Sequence, residues 1–270
     1  MVPASPVDAR AQAQMIGSMS RFGIKRRAKR ALDRQLEYQR RKAARLAGHE
    51  AELMDGMAAH SLQVRRQLER FKTLPHNASV LEVGSGAHGL IFFFDAAEKF
   101  GVDPLAEEYQ RLFPAWQGRA TTIAAPGEQL PFEDQRFDLV MCDNVVDHAE
   151  DPRKIVEEIS RVLRPGGLLY FTVNIHHPIY EWASKIHAGW RAAGIPFEIT
   201  PFADHTVHLT LAAARQLFAG LPFHICHEAD DIDEVKRRGP IEVRHLGDRL
   251  KGLFFKNARY ELIAQQVTPA

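Results

Sequence analysis

"VLEVGSGAHGL", residues 80–90, holds a literal G-x-G-x-x-G at Gly84, Gly86 and Gly89, directly after an apolar run. That spacing belongs to a loop that cradles a nucleotide cofactor: a strand ends, glycines let the backbone turn tightly, and N–H groups face the ligand. Alone, the string fits a pyrophosphate dinucleotide such as NAD as well as any other adenosine cofactor. Asp103 stands at the end of the next apolar run, near the spacing of roughly 20 residues at which such folds grip ribose hydroxyls. Glu82, two residues before Gly84, breaks the tie. A carboxylate is of little use beside phosphates, whereas a cofactor carrying an ammonium group has a use for it.

Downstream of Ala78, short apolar runs alternate with helical patterns, the texture of βαβ units and a parallel sheet. The runs read as strands are SVLEVG (79–84), EKFGVD (98–103), ATTIAA (120–125), FDLVMCD (137–143) and GLLYFTV (167–173). Asp151 to Leu163 reads as a helix with Pro152 in its first turn. Arg164-Pro165-Gly166-Gly167 reads as a sharp stop before the next strand. PFHICHEAD (222–230) and ARYELIAQQV (258–267) alternate as edge or antiparallel strands do, and DDIDEVKRRGP between them reads as a polar loop.

Upstream, Ile24 to Phe71 contains no proline and repeats apolar residues at helical spacing, predicting one or two amphipathic helices broken near Gly48 or Gly56. The first twenty residues are small and polar and are expected to be disordered. The expected organisation is a disordered 1–20, a basic helical extension over 21–76 and a catalytic domain over 77–270.

Composition bounds the rest. Of 270 residues, 45% are hydrophobic and 26% charged, ordinary for a soluble globular protein. The net charge of +1 hides an asymmetry, because Arg21 to Arg45 carries eleven Lys/Arg against Asp33 and Glu37. No apolar run approaches the ~20 residues of a membrane span, and the first residues lack the apolar core of a secretory signal. Cys142 and Cys226 are too few for a disulfide framework or a zinc knuckle, so a reducing, cytoplasmic setting is expected.

Two longer stretches carry a resemblance. GEQLPFEDQRFDLVMCDNVVDHAEDP (127–152) places a turn, Leu-Pro-Phe and a Phe-Asp pair before an apolar strand that ends in a polar cluster. EEISRVLRPGGLLYFTV (157–173) follows. In this order, with the glycine loop, they resemble the class I S-adenosylmethionine-dependent methyltransferases, in particular the small-molecule, ubiquinone-biosynthesis-type branch. The resemblance covers about residues 78 to 175 and, more loosely, the strands to about 267. It implies a doubly wound α/β fold with a seven-stranded, mostly parallel, Rossmann-like sheet behind the N-terminal helical extension.

It also implies S-adenosylmethionine as cofactor and S-adenosylhomocysteine as product. Glu82, Gly84, Ser85 and Gly86 would line the methionine end, and Asp103 with Pro104 the ribose. Glu128, Gln129 and Leu130 would border adenine, and Asp143, Asn144 and Val145 would close the site. Two positions depart from the pattern. His88 stands where the family usually has glycine. Pro126 and Gly127 replace an acid and alanine in the adenine loop, and proline offers no hydrogen-bond donor.

The sulfonium already activates the methyl group, so positioning of the acceptor dominates the chemistry. A general base is needed only for a hydroxyl or a protonated amine. His148, after the fourth strand, is a candidate base, or else packs beneath the following helix. His176 is a second candidate, opening the His176–Trp182 segment outside the end of the fifth strand, where such folds bind ligand. His177, Tyr180 and Trp182, with His205 and His208, are candidate walls of an acceptor pocket. The last two could instead simply precede a helix capped by Thr210. His88 reads as a helix-start residue, and no His/carboxylate spacing supports a metal site.

The basic stretch reads as a solvated or partner-facing surface, or as a lid that attracts an anionic acceptor. Nucleic acid is disfavoured because aromatic residues are nearly absent from the basic stretch, with only Tyr38 between Ile24 and Arg45. The expected function is methyl transfer to an oxygen or nitrogen of a small or medium polar acceptor. Other readings are an RNA methyltransferase, a non-catalytic cofactor-binding partner module and an NAD(P)-dependent oxidoreductase.

Overall fold

Among the described residues, seven strands form where the alternation places them: β1 (Ser79–Val83), β2 (Glu98–Val102), β3 (Thr121–Ile123), β4 (Phe137–Asp143), β5 (Leu163–Ile175), β6 (Phe223–Asp230) and β7 (Ala258–Gln266). The structure is a computed structural model and describes residues 26–46, 49–180, 209–238, 254–255 and 257–267. The strands pair into one sheet of order β3-β2-β1-β4-β5-β7-β6. β1 to β5 run parallel, and β7 is antiparallel to both β5 and β6. β1 is buried along its whole length, as a central parallel strand must be. It pairs with β2 on one side and β4 on the other, so the chain direction reverses there and a crevice opens beyond the strand ends.

The helices are α1 (Arg26–Leu46), α2 (Glu50–Leu68), α3 (Ala106–Leu112), α4 (Pro114–Gln117), α5 (Pro152–Val162), α6 (Leu211–Gln216) and α7 (Ile232–Arg238). α5 starts as its sequence dictates: the Asp151 carboxylate accepts from Lys154 N at 3.1 Å, and Pro152 occupies the first turn. Its Ile155, Val156, Ile159 and Val162 stripe seals one face of the sheet together with α6. Thr210 caps α6 by accepting from Ala213 N at 3.1 Å.

On the opposite face, a helix expected after the glycine loop is missing. Between β1 and β2 the chain makes only a 3-10 turn, Leu90–Phe92. His88 therefore starts no α-helix. The space is filled by α2 from the N-terminal extension, whose Val64 and Leu68 are 1% and 0% exposed. Each such side chain contributes roughly 1.5–3 kcal/mol by burial. Ser61 Oγ donates to Leu90 O at 3.3 Å, and Arg65 pairs with Asp95 at 2.9 Å. α2 runs unbroken through Gly56, and the boundary between the two extension helices falls before Glu50.

Two readings need correction. Arg164–Gly167 does stop α5, but it belongs to β5 as a bulged start, with the pairing register shifting between Phe137 and Leu139. Gly166 there adopts φ +76°, and its carbonyl accepts from Lys72 Nζ at 2.6 Å. The polar DDIDEVKRRGP segment contains α7. Asp233 and Glu234 lie in its first turn and Lys236 to Arg238 in its last, matching the helix dipole. Polarity hid this helix because only Ile232 and Val235 reach the core.

Candidate active site at the ends of β1, β2 and β4

The glycine loop is shaped by contacts on every side. Gly84 adopts φ +71°, and a Cβ there would stand 2.3 Å from Val145 Cγ2, so the turn after β4 closes directly on it. Gly86, at φ +54°, differs: an added Cβ would meet nothing nearer than Gly84 O at 3.9 Å, so open space lies beside it. From behind, Gln117 Nε2 donates to the carbonyls of Gly86 and Ala87 at 3.2 and 3.1 Å.

Carboxylates occupy the loop's N–H groups. Leu90 N and Ile91 N donate to the Glu82 carboxylate at 3.2 and 2.9 Å, and Gly86 N donates to Asp103 at 3.1 Å. Asp103 also accepts from Leu105 N at 2.8 Å. Burial pushes the Glu82 carboxyl up to about 8, against the pull of its two amides, and the negative fields of Asp143 and Asp103 add to the rise. Burial likewise raises Asp103 to about 6.

These contacts decide what the loop can hold. A pyrophosphate needs free amides and a helix N-terminus. Here the N–H groups of Gly84, Ser85, Gly86, Leu90 and Ile91 are taken, the helix is replaced by a 3-10 turn, and an anion would face carboxylates.

At the end of β4, Asn144 adopts the left-handed φ of +56°, tolerable for asparagine. Its N–H donates to Thr172 O at 3.0 Å, and its Oδ1 accepts from Asn174 N at 3.1 Å. Thr172 Oγ1 donates to the Asp143 carboxylate. Among the described residues, Glu82, Asp103 and Asp143 are oriented by amides or a hydroxyl, without an ion-pair partner.

The 126–130 loop is held from below. Leu130 N donates to Glu158 Oε2 at 2.9 Å, and Arg161 bonds both Leu130 O and that carboxylate. Gly127 packs against Val83 and Ile155, where a Cβ would come within 3.0 Å. Glu128 accepts from Glu150 N at 3.0 Å, Gln129 is exposed and Leu130 is buried. Pro126 is accommodated by accepting from Gln129 N at 3.1 Å, and Pro104 is exposed next to Asp103.

Residues 81–171 match the family profile described as "Methyltransferase domain". These residues carry a class I S-adenosylmethionine-dependent methyltransferase domain. This methyltransferase domain is 36% identical over 110 residues to an uncharacterised methyltransferase of Mycobacterium sp. (strain JLS), a match covering 38% of the chain and 42% of the relative. It is 35% identical over 91 residues to the thiol S-methyltransferase TMT1B of Homo sapiens, covering 32% of the chain and 33% of that protein. The chain thus spans less than half the length of these two relatives. Its fold is that of the geranyl diphosphate C-methyltransferase from Streptomyces coelicolor A3(2), with a TM-score of 0.53 at 14% identity, covering 77% of the chain and 79% of that structure.

The residues fit S-adenosylmethionine. The space beside Gly86 is open to a ligand, and the Glu82, Asp103 and Asp143 carboxylates are complementary to a cationic tail.

His148 lies in a 3-10 turn (Val146–His148) after β4 with its side chain 51% exposed, so it does not pack beneath α5. The buried Asp147 carboxylate stands 3.8 Å from its Nε2. His176 is 1% exposed, and its Nδ1 accepts from Asn257 N at 3.3 Å, tying the end of β5 to the start of β7. As a candidate base, His176 is thus buried, with Nδ1 engaged by that amide. His177 packs against Phe254 and Phe255, and Tyr180 OH donates to Phe254 O at 3.4 Å. Trp182, His205 and His208 lie outside the described residues.

Sequence reasoning missed Gln117, Thr172 and the Glu158–Arg161 pair. Each has an ordinary amphipathic context and acts only through tertiary contact. Among the described residues no group of His, Cys, Asp and Glu side chains could hold a metal ion, and no helix is long and apolar enough to cross a membrane.

Proposed function

We infer that this protein transfers the methyl group of S-adenosylmethionine to an oxygen or nitrogen of a small polar acceptor. The observation that carries the reading is the loop chemistry at β1: amides already occupied by Glu82 and Asp103, with no crossover helix, suit a cationic cofactor and repel a pyrophosphate. The bound cofactor supplies an electrophilic methyl. The chain's own residues then hold and orient: Glu82 and Asp143 take the ammonium, Asp103 accepts from the ribose hydroxyls, and the backbone from Gly127 to Leu130 borders adenine. His148, exposed at the end of β4 and backed by Asp147, removes the acceptor proton. His177 and Tyr180 form one wall of the acceptor side.

Isothermal titration with S-adenosylhomocysteine, with NADH as control, tests the cofactor. Micromolar binding of the first alone is expected; NADH binding without it overturns the reading. A subsequent acceptor screen includes thiols, since the human relative is named for one. For an oxygen acceptor, His148→Ala is expected to keep cofactor affinity and lower kcat by about 10²-fold. Full activity removes His148 from the chemistry.

A second reading is an RNA acceptor. It rests on α1, whose Arg34, Tyr38, Arg41 and Arg45 fall on one exposed stripe, Tyr38 being 59% exposed. It requires RNA binding that weakens steeply with salt and disappears when these arginines are replaced.

A further inference from the structure

The inner side of α1 carries a polar line as well as an apolar one. Leu32, Leu36 and Ala43 pack into the core with α2 to α4. Beside them, Gln35, Gln39 and Lys42 follow at spacings of four and three, which places them on one stripe. Gln35 hydrogen-bonds the Tyr109 hydroxyl. Gln39 is 7% exposed, and its buried Oε1 has no hydrogen-bond partner among the described residues. Lys42 Nζ lies 3.4 Å from Nδ1 of His88, inside the glycine loop, with its ring packed edge-on against Phe113 and Trp116.

Lys42 is a partly buried cation without a carboxylate partner among the described residues. A lysine serving only to cover apolar surface extends its ammonium into water. This one ends on the neutral ring of a loop residue, and burial lowers its affinity for the proton. His88 is held neutral, near 4, by burial and by Lys42 itself. A desolvated, unpaired charge is costly unless a counter-ion completes it. Among the described residues, Glu82 and Asp143 therefore have no cation and the Lys42 ammonium facing the loop has no carboxylate. An amino-acid zwitterion satisfies both sets at once.

We propose that Lys42 binds the α-carboxylate of the cofactor's methionine moiety, so that the N-terminal extension completes the cofactor site. This rests on the cofactor reading above and assigns the carboxylate to a helix outside the matched residues 81–171. The role of α1 follows: its position and cofactor occupancy are coupled, because one side chain joins them.

The experiment is a ligand–variant cycle by isothermal titration on the full chain. The ligands are S-adenosylhomocysteine and its decarboxylated analogue, which keeps the amine and lacks the carboxylate. The proteins are wild type, Lys42→Met and Lys42→Arg. Lys42→Met is expected to weaken S-adenosylhomocysteine by about tenfold or more, with the analogue changed less than about threefold. Lys42→Arg is expected to restore most of the loss. Equal affinity of Lys42→Met and wild type for S-adenosylhomocysteine overturns the proposal. So does an equal loss for both ligands, which marks a structural effect of α1. Failure of wild type to bind S-adenosylhomocysteine removes the cofactor reading itself, and this proposal with it. Circular dichroism melts of all three proteins identify any variant that fails to fold.

Discussion

Two buried glutamates do opposite work. Glu158, on α5, accepts from Leu130 N and is closed by Arg161, and its carboxyl is held below the ordinary range despite burial. Glu82, at the end of β1, accepts from two backbone amides, has no cation beside it among the described residues, and is pushed up to about 8. Glu158 is finished within the protein; on the cofactor reading proposed above, Glu82 is completed by the ligand's ammonium. Asp138, fixed by both oxygens to Arg164 at the opposite end of the sheet, belongs with Glu158. Asp103 and Asp143 belong with Glu82. The distinction between a carboxylate that holds the fold and one that waits for a ligand is therefore the presence of an arginine.

The largest expected effect breaks this comparison if it fails. Glu82→Gln is expected to weaken S-adenosylhomocysteine by about 100-fold while leaving stability within about 1 kcal/mol of wild type, because removing an uncompensated buried charge offsets one poorer hydrogen bond. Glu158→Gln is expected to do the reverse, costing about 1–3 kcal/mol by leaving Arg161 underpaired, with little change in cofactor affinity. Denaturant unfolding and titration of both variants read the two quantities. Similar stability losses in the pair would erase the distinction.

How much of this was legible in the sequence follows from the same physics. Runs such as SVLEV and FDLVMCD announce themselves because a central strand is apolar on both faces. Gly84 and Glu82 were legible from their spacing, which is local. Lys42 was not, because it is one cation among eleven in its stretch, and only the packing of α1 on the glycine loop separates it. The missing crossover helix was equally hidden: nothing in GAHGLIFFF forbids a helix, and it is α2 that occupies the space. α7 escaped notice for the opposite reason, since a helix that buries almost nothing leaves no apolar stripe to read.

A second, smaller effect sharpens the contrast through pH. In the cofactor-free protein Glu82 sits at about 8 and Asp103 at about 6. A bound cation favours the ionised forms, so binding releases protons. Affinity for S-adenosylhomocysteine is expected to rise by about tenfold from about pH 6 to about pH 8.5, then level off. Stability without cofactor moves the other way. The unfolded chain gives up these protons near ordinary carboxylate values while the native state retains them, so stability falls as pH climbs from there to about 8. Melting curves with and without ligand, paired with titrations in buffers of different ionisation enthalpy, measure both slopes. A dissociation constant flat across this window would mean that neither carboxylate meets the cofactor's charge.

The smallest effect concerns how a waiting carboxylate is aimed without being neutralised. Thr172 Oγ1 donates to Asp143 and accepts from Asn144 N at 3.1 Å, so one neutral hydroxyl fixes both the carboxylate and the left-handed residue after it. An arginine in that place would orient Asp143 as firmly but would use up the charge the ligand needs. Thr172→Val keeps the shape of the side chain and removes the hydroxyl. Asn144 N retains Thr172 O as an acceptor at 3.0 Å, so the turn is expected to survive with a loss of about 1 kcal/mol. Asp143 keeps its charge and loses its aim, which is expected to weaken S-adenosylhomocysteine by about threefold and no more. A loss as large as that from Glu82→Gln would place the ligand's charge at Asp143 rather than at Glu82, and would move the centre of the site from the end of β1 to the end of β4.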